Sequence, residues 1–144
     1  MSNPQTFSMI RPTIKTPFHI DFEWWQHHDS NWRVYLFDFL CPEHQKAFEG
    51  KAEVWIDHVD PQTAEVHRVD GLQHTLMNHC AKQPDFLLRE TSLINKIFKL
   101  LLANGNRAMT PEEMSPLVGR PADVILRTLS GPQVYHGIRP YKAG

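Results

Sequence analysis

Apolar residues recur at helical spacing at Leu93, Ile94, Ile97, Phe98, Leu100, Leu101 and Leu102, and Asn104, Gly105 and Asn106 then stop the run. A second helix is expected from Thr110, an N-cap residue followed by Pro111 at the first helical position. Glu112 and Glu113 lie in its first turn, where the helix dipole favours negative charge, and Gly119 closes it. A third runs from about Pro121 to Leu129, with Val124, Ile125 and Leu129 facing one core, until Ser130, Gly131 and Pro132 break it. Val134 and Tyr135, a His136-Gly137 pair suited to a two-residue turn, and Ile138 with Arg139 then predict a small hairpin.

Upstream, Trp32, Tyr35, Leu36, Phe39 and Leu40 follow i, i+3, i+4, i+7 and i+8 behind Ser30, which is the expected cap of that helix. Asp21 is placed to cap a shorter helix through His28, on which Phe22 and Trp25 share a face. Pro4, Pro12 and Pro17 keep the first 20 residues extended, and Phe7, Met9, Ile10, Ile14, Phe18 and Ile20 give this arm something to bury. Between Glu53 and Gly71 the pattern has period two on either side of Pro61-Gln62-Thr63, which predicts a β-hairpin. Helix returns from Gly71 to about Cys80, and Gln83-Pro84-Asp85 begins a connector. The fold class is therefore α+β, with residues 1–90 as an aromatic, hairpin-bearing part and residues 91–144 as three helices plus a short wing.

The stretch TPEEMSPLVGRPADVILRTLSG, followed by VYHGIRPY, resembles the winged-helix superfamily of bacterial regulators over roughly the last third of the chain. That resemblance implies a third helix entering the DNA major groove and a wing touching phosphate. Arg120 and Arg127 would be the cations of the third helix, and Arg139 with Lys142 would serve the wing. The chain departs from the pattern at Asp123, a carboxylate in the first turn of that helix, and in the shortness of the wing. With no Asn, Gln or Lys between Arg120 and Leu129, base readout would rest on the arginines and Thr128.

Charge sharpens this picture. The 144 residues carry a net charge of −1, but residues 41–90 hold five Lys/Arg against nine Asp/Glu, and residues 91–144 hold seven against three. The balances are −4 and +4, so the winged-helix-like segment is the basic one, as phosphate neutralisation requires. A solvated face docked on the acidic part of the same chain is the competing explanation. Nothing reads as a signal peptide or a membrane span, and two cysteines separated by 38 intervening residues make no disulfide framework, so a cytoplasmic protein without membrane contact is expected.

Eleven of the fifteen aromatic residues fall in the first 55 positions. Trp24 and Trp25 are adjacent, so on a helix their rings diverge by about 100° and one core does not bury both. This pair is the candidate partner-binding site, for a homodimer or another protein, with an arm folded over the exposed ring as the alternative. Cys41-Pro42-Glu43-His44 has the two-residue spacing of a zinc knuckle, and His74, His79 and Cys80 follow the hairpin, in the knuckle, hairpin, helix order of a treble-clef site. His79 and Cys80 are neighbours, however, and on a continuous helix they do not aim at one ion. No cofactor is therefore expected, with Cys41, His44, His79 and Cys80 as the zinc candidates. No glycine-rich phosphate loop, nucleophile elbow or His-Glu-x-x-His pattern occurs, so no catalytic residues are assigned and a non-enzymatic role is expected. The leading reading is a DNA-binding or transcription-associated protein whose N-terminal part dimerises or docks. The alternatives are a protein-binding accessory subunit without nucleic-acid contact, and a zinc-binding protein or zinc-dependent enzyme.

Overall fold

A computed structural model describes residues 11–50, 55–87 and 92–142. The fold is α+β, with two separate two-stranded antiparallel sheets and seven α-helices among the described residues. The chain divides into two compact units, one formed by residues 1–22 with 91–144 and the other by residues 23–90. Residues 11–22 of the arm thus fall in the same unit as the C-terminal helices. Phe7, Met9 and Ile10, three of the apolar residues expected to anchor it, lie outside the described residues.

In the first unit, β1 (Phe18–Ile20) pairs antiparallel with β4 (Ile138–Pro140), His19 standing opposite Arg139. The hairpin expected inside residues 134–139 is only half formed. His136 and Gly137 make its turn, both with positive φ (51° and 73°) and with the Ile138 N–H donating to the Tyr135 carbonyl at 2.9 Å. Val134 and Tyr135 are not in a strand, because β4 takes its partner from the arm. The reason is burial: Phe18 and Ile20, alternate residues of β1, are 0% and 1% exposed, whereas Val134 and Tyr135 stay exposed. The other edge of β1 is also satisfied. Phe18 exchanges both backbone hydrogen bonds with Met109, at 2.8 and 2.9 Å, and the Asn106 side-chain amide does the same for Ile20, at 2.8 Å each way.

Three helices complete this unit. The Ser92 side chain caps α5 (Leu93–Ala103), whose Ile97, Phe98, Leu100, Leu101 and Leu102 are all buried, so more than one face of the helix is covered. Each such side chain contributes roughly 1.5–3 kcal/mol on burial. Thr110 caps α6 (Pro111–Val118) as the sequence predicts, the structure adding the full reciprocal box with Glu113, and Gly119 ends it at φ 73°. α7 (Ala122–Leu129) then turns Ile125 and Leu129 into the core.

In the second unit, α1 (Phe22–His28) buries Trp25, which meets Trp32 edge-on and Tyr35 face-on and donates its indole N–H to Asp29 at 3.0 Å. α2 (Trp32–Phe39) starts at Asn31 rather than behind Ser30, and Asn31 makes no side-chain cap. Asp29 is the local organiser instead, its carboxylate accepting from the Asn31 N–H at 2.9 Å. α3 (Pro42–Ala47) follows, with Pro42 in its first turn. The expected hairpin forms from β2 (Trp55–Val59) and β3 (Val66–Asp70), with Trp55 opposite Asp70 and Val59 opposite Val66. Asp70 caps α4 (Gly71–Asn78) and is ion-paired with Arg33 of α2, which ties hairpin and helices together. A 3-10 turn, Cys80–Lys82, follows α4.

Candidate functional sites

The residues proposed for nucleic acid lie before, on and beyond α7. The link between α6 and α7 is Gly119-Arg120-Pro121, and it is fixed at three points. Gly119 takes the left-handed conformation, the Ser115 hydroxyl donates to the Arg120 carbonyl at 2.7 Å, and Pro121 holds the extended geometry of an N-cap. Arg120 is exposed in the link, and Asp123 and Arg127 are exposed one helical turn apart on α7. Arg127 is 3.8 Å from Asp123, and both side chains are 74% exposed, so this pair is weak and solvent-screened. Thr128 donates its hydroxyl to the Val124 carbonyl at 3.0 Å, which commits its proton to the backbone.

Arg139 and Lys142 differ from one another. Lys142 is exposed, whereas Arg139 donates to Asp21 at 3.1 Å with its side chain 38% exposed, bracing β4 against the chain that follows β1. Nearby, His19 packs edge-on against Tyr141 at 5.0 Å. Burial lowers the His19 pKa, opposed by Asp21 and assisted by Arg139. Division of the chain by unit also strengthens the charge split, because Arg11 and Lys15 of the arm join the basic side. Residues 1–22 and 91–144 together hold nine Lys/Arg against four Asp/Glu, a balance of +5, and residues 23–90 hold six against twelve, a balance of −6.

Trp24 and Trp25 separate as adjacent helical residues must. Trp25 is 1% exposed, while Trp24 is half-buried and stacks on His28 one turn away, with ring centroids 4.3 Å apart.

The four cysteine and histidine candidates come together in the second unit. Cys41 is the N-cap residue of α3, which places its side chain beside that of His44 in the first turn, with Sγ 3.1 Å from Nδ1. Cys80 Sγ lies 3.2 Å from Cys41 Sγ and 3.7 Å from His44 Nδ1, and the Cys41 N–H points at Cys80 Sγ at 3.2 Å. Donor atoms of Cys41, Glu43, His44 and His79 all lie within 4.8 Å of one another. The objection to His79 and Cys80 assumed a continuous helix, and the helix is not continuous there. α4 ends at Asn78, and His79 has φ −128° and ψ −62°, so the backbone turns between the two residues. Both cysteines are free thiols, and burial together with the neighbouring Cys41 thiol pushes Cys80 up to about 12. His74, the remaining histidine of this stretch, turns instead toward His58 of the hairpin, with ring centroids 5.3 Å apart.

Comparison with protein families, with curated proteins and with solved structures gave no match to this chain. No helix among the described residues is long and apolar enough to cross a membrane.

Proposed function

We propose that the unit formed by residues 1–22 and 91–144 is a winged-helix module that binds duplex DNA, with α7 offered to the major groove. The observation that carries this reading is the α6–α7 pair, whose three-residue link is fixed by Gly119, Ser115 and Pro121 and leaves Arg120 exposed before the second helix and Arg127 exposed on it. The balance of +5 in this unit supports it, since neutralising phosphates releases counterions and provides affinity without base contacts. Arg127 exchanges an exposed partner, Asp123, for phosphate at little cost. Arg139 reaches phosphate only by giving up Asp21, so Arg120, Arg127 and Lys142 are the main contacts.

The test is fluorescence anisotropy of the full chain with a labelled duplex at several salt concentrations. Three phosphate contacts predict a slope of log affinity against log salt of about −3, and Arg127→Ala should weaken binding and reduce that slope by about 1. Undetectable binding at low salt, or a slope unchanged in Arg127→Ala, refutes the reading.

One observation favours a second reading, that of a protein-binding accessory module: Leu117 of α6 is 60% exposed and Asp123 of α7 repels phosphate, a pairing suited to a protein surface. It gains support if the duplex does not bind and Leu117→Ser abolishes self-association in sedimentation velocity.

A further inference from the structure

We propose that Cys41, His44, His79 and Cys80 hold one structural zinc ion. This inference concerns the second unit and is independent of DNA binding by the first.

Donors from two chain segments converge: those of Cys41, His44 and His79 lie within 4.8 Å of one another, and Cys80 Sγ is 3.2 Å from Cys41 Sγ and 3.7 Å from His44 Nδ1. Cys41 and His44 come from the first turn of α3, where residues three apart share a face. His79 and Cys80 come from the break after α4, where the backbone no longer holds the two side chains to the divergence of about 100° that a continuous helix imposes. The spacing also fits. With zinc–sulfur bonds of about 2.3 Å and zinc–nitrogen bonds of about 2.0–2.1 Å, tetrahedral geometry puts two sulfurs about 3.8 Å apart and a sulfur about 3.5 Å from a nitrogen. The corresponding distances are 3.2 Å between the sulfurs, and 3.1 and 3.7 Å from the sulfurs to His44 Nδ1. Cys41, Cys80 and His44 need to shift by only a fraction of an ångström to hold the ion, and the His79 donor lies within 4.8 Å of those of Cys41 and His44.

The donor set selects the metal. Two thiols and two imidazoles are soft and borderline ligands, suited to zinc and unsuited to calcium or magnesium, which require oxygen. On binding, both thiols release their protons to solvent, and the two thiolates balance the charge of the dication. The Cys41 N–H directed at Cys80 Sγ is placed to stabilise a thiolate there. Glu43 offers a carboxylate within the same radius, but the Cys80 sulfur, 3.2 Å from Cys41 Sγ and 3.7 Å from His44 Nδ1, is the softer donor and the better matched to zinc. Cys80 is therefore the fourth ligand. Four protein ligands leave no position for water, so the site is structural and not catalytic. Its physical use follows from the unit's architecture: β2, β3 and α3 contain no buried residue, so a metal would staple α3 to the end of α4 where apolar packing does not. Domains of this size with sparse cores gain most from a metal staple.

The test uses the full chain without an affinity tag, purified with reductant from zinc-supplemented cells and analysed for metal by mass spectrometry. One zinc per chain is expected, retained in Glu43→Gln and in the His27→Ala/His28→Ala control, and lost in Cys41→Ser/Cys80→Ser. Because the cysteine variant can fail to fold, cobalt titration of the native chain provides a second measurement. A thiolate-to-cobalt charge-transfer band with intense tetrahedral d–d absorption is expected. A native chain that carries no zinc and shows no such cobalt spectrum after reduction overturns the proposal, as does zinc retained in the double cysteine variant.

Discussion

Asn106 stands where strand β1 runs out of backbone partners, and its replacement tests how the arm is held. Its side-chain oxygen accepts from the Ile20 N–H and its amide nitrogen donates to the Ile20 carbonyl, both at 2.8 Å, continuing the ladder that Met109 begins at Phe18. Asn106 also sits at φ 59°, a conformation that asparagine tolerates better than alanine. Asn106→Gly removes the amide without adding backbone strain, and two lost hydrogen bonds at a partly buried strand cost about 2 kcal/mol. Asn106→Ala loses the same bonds and adds about 1 kcal/mol for left-handed backbone, giving about 3 kcal/mol in all. The assay is denaturant unfolding of the full chain, together with amide hydrogen exchange resolved at Ile20. The Ile20 N–H should lose protection in both variants, with alanine the less stable. If the Ile20 amide stays protected in Asn106→Gly and stability is unchanged, the amide is not what closes the edge of β1.

Trp25→Ala should destabilise the chain by about 3–5 kcal/mol, the usual cost of emptying a large aromatic site, measured by denaturant unfolding. Trp24→Ala should cost less than about 1 kcal/mol because that ring is only half-buried, and sedimentation velocity then tells whether the exposed ring mediates self-association. His19 has a folded-state pKa lowered from 6.5, so the folded state favours the neutral ring. Its contribution to stability is complete above pH 6.5 and is lost as pH falls through that value toward the lower folded pKa. In His19→Gln the loss of stability between neutral and mildly acidic pH should be smaller than in the native chain, and identical pH profiles would contradict this.

Local chemistry was legible in the sequence wherever a signal and its partner lie within a few residues. Thr110 caps α6, Gly119 ends it, and His136-Gly137 forms its turn before Ile138, because each depends on nearby backbone donors and preferred dihedrals. The β2–β3 hairpin was legible for the same reason, its two strands being joined by a short turn organised by Asp60. The partner of β4 was not legible. Strand pairing is set by which apolar face a second strand can bury, and the arm's Phe18 and Ile20, more than a hundred residues away, displaced the adjacent Val134 and Tyr135. That same docking moved Arg11 and Lys15 into the basic unit and engaged Arg139 with Asp21. Nor did the sequence reveal that α4 stops at Asn78, since no glycine or proline marks the break. The helix ends there as Cys80 turns into the interior beside Cys41, and this non-local contact gathers four side chains that spacing alone had kept apart.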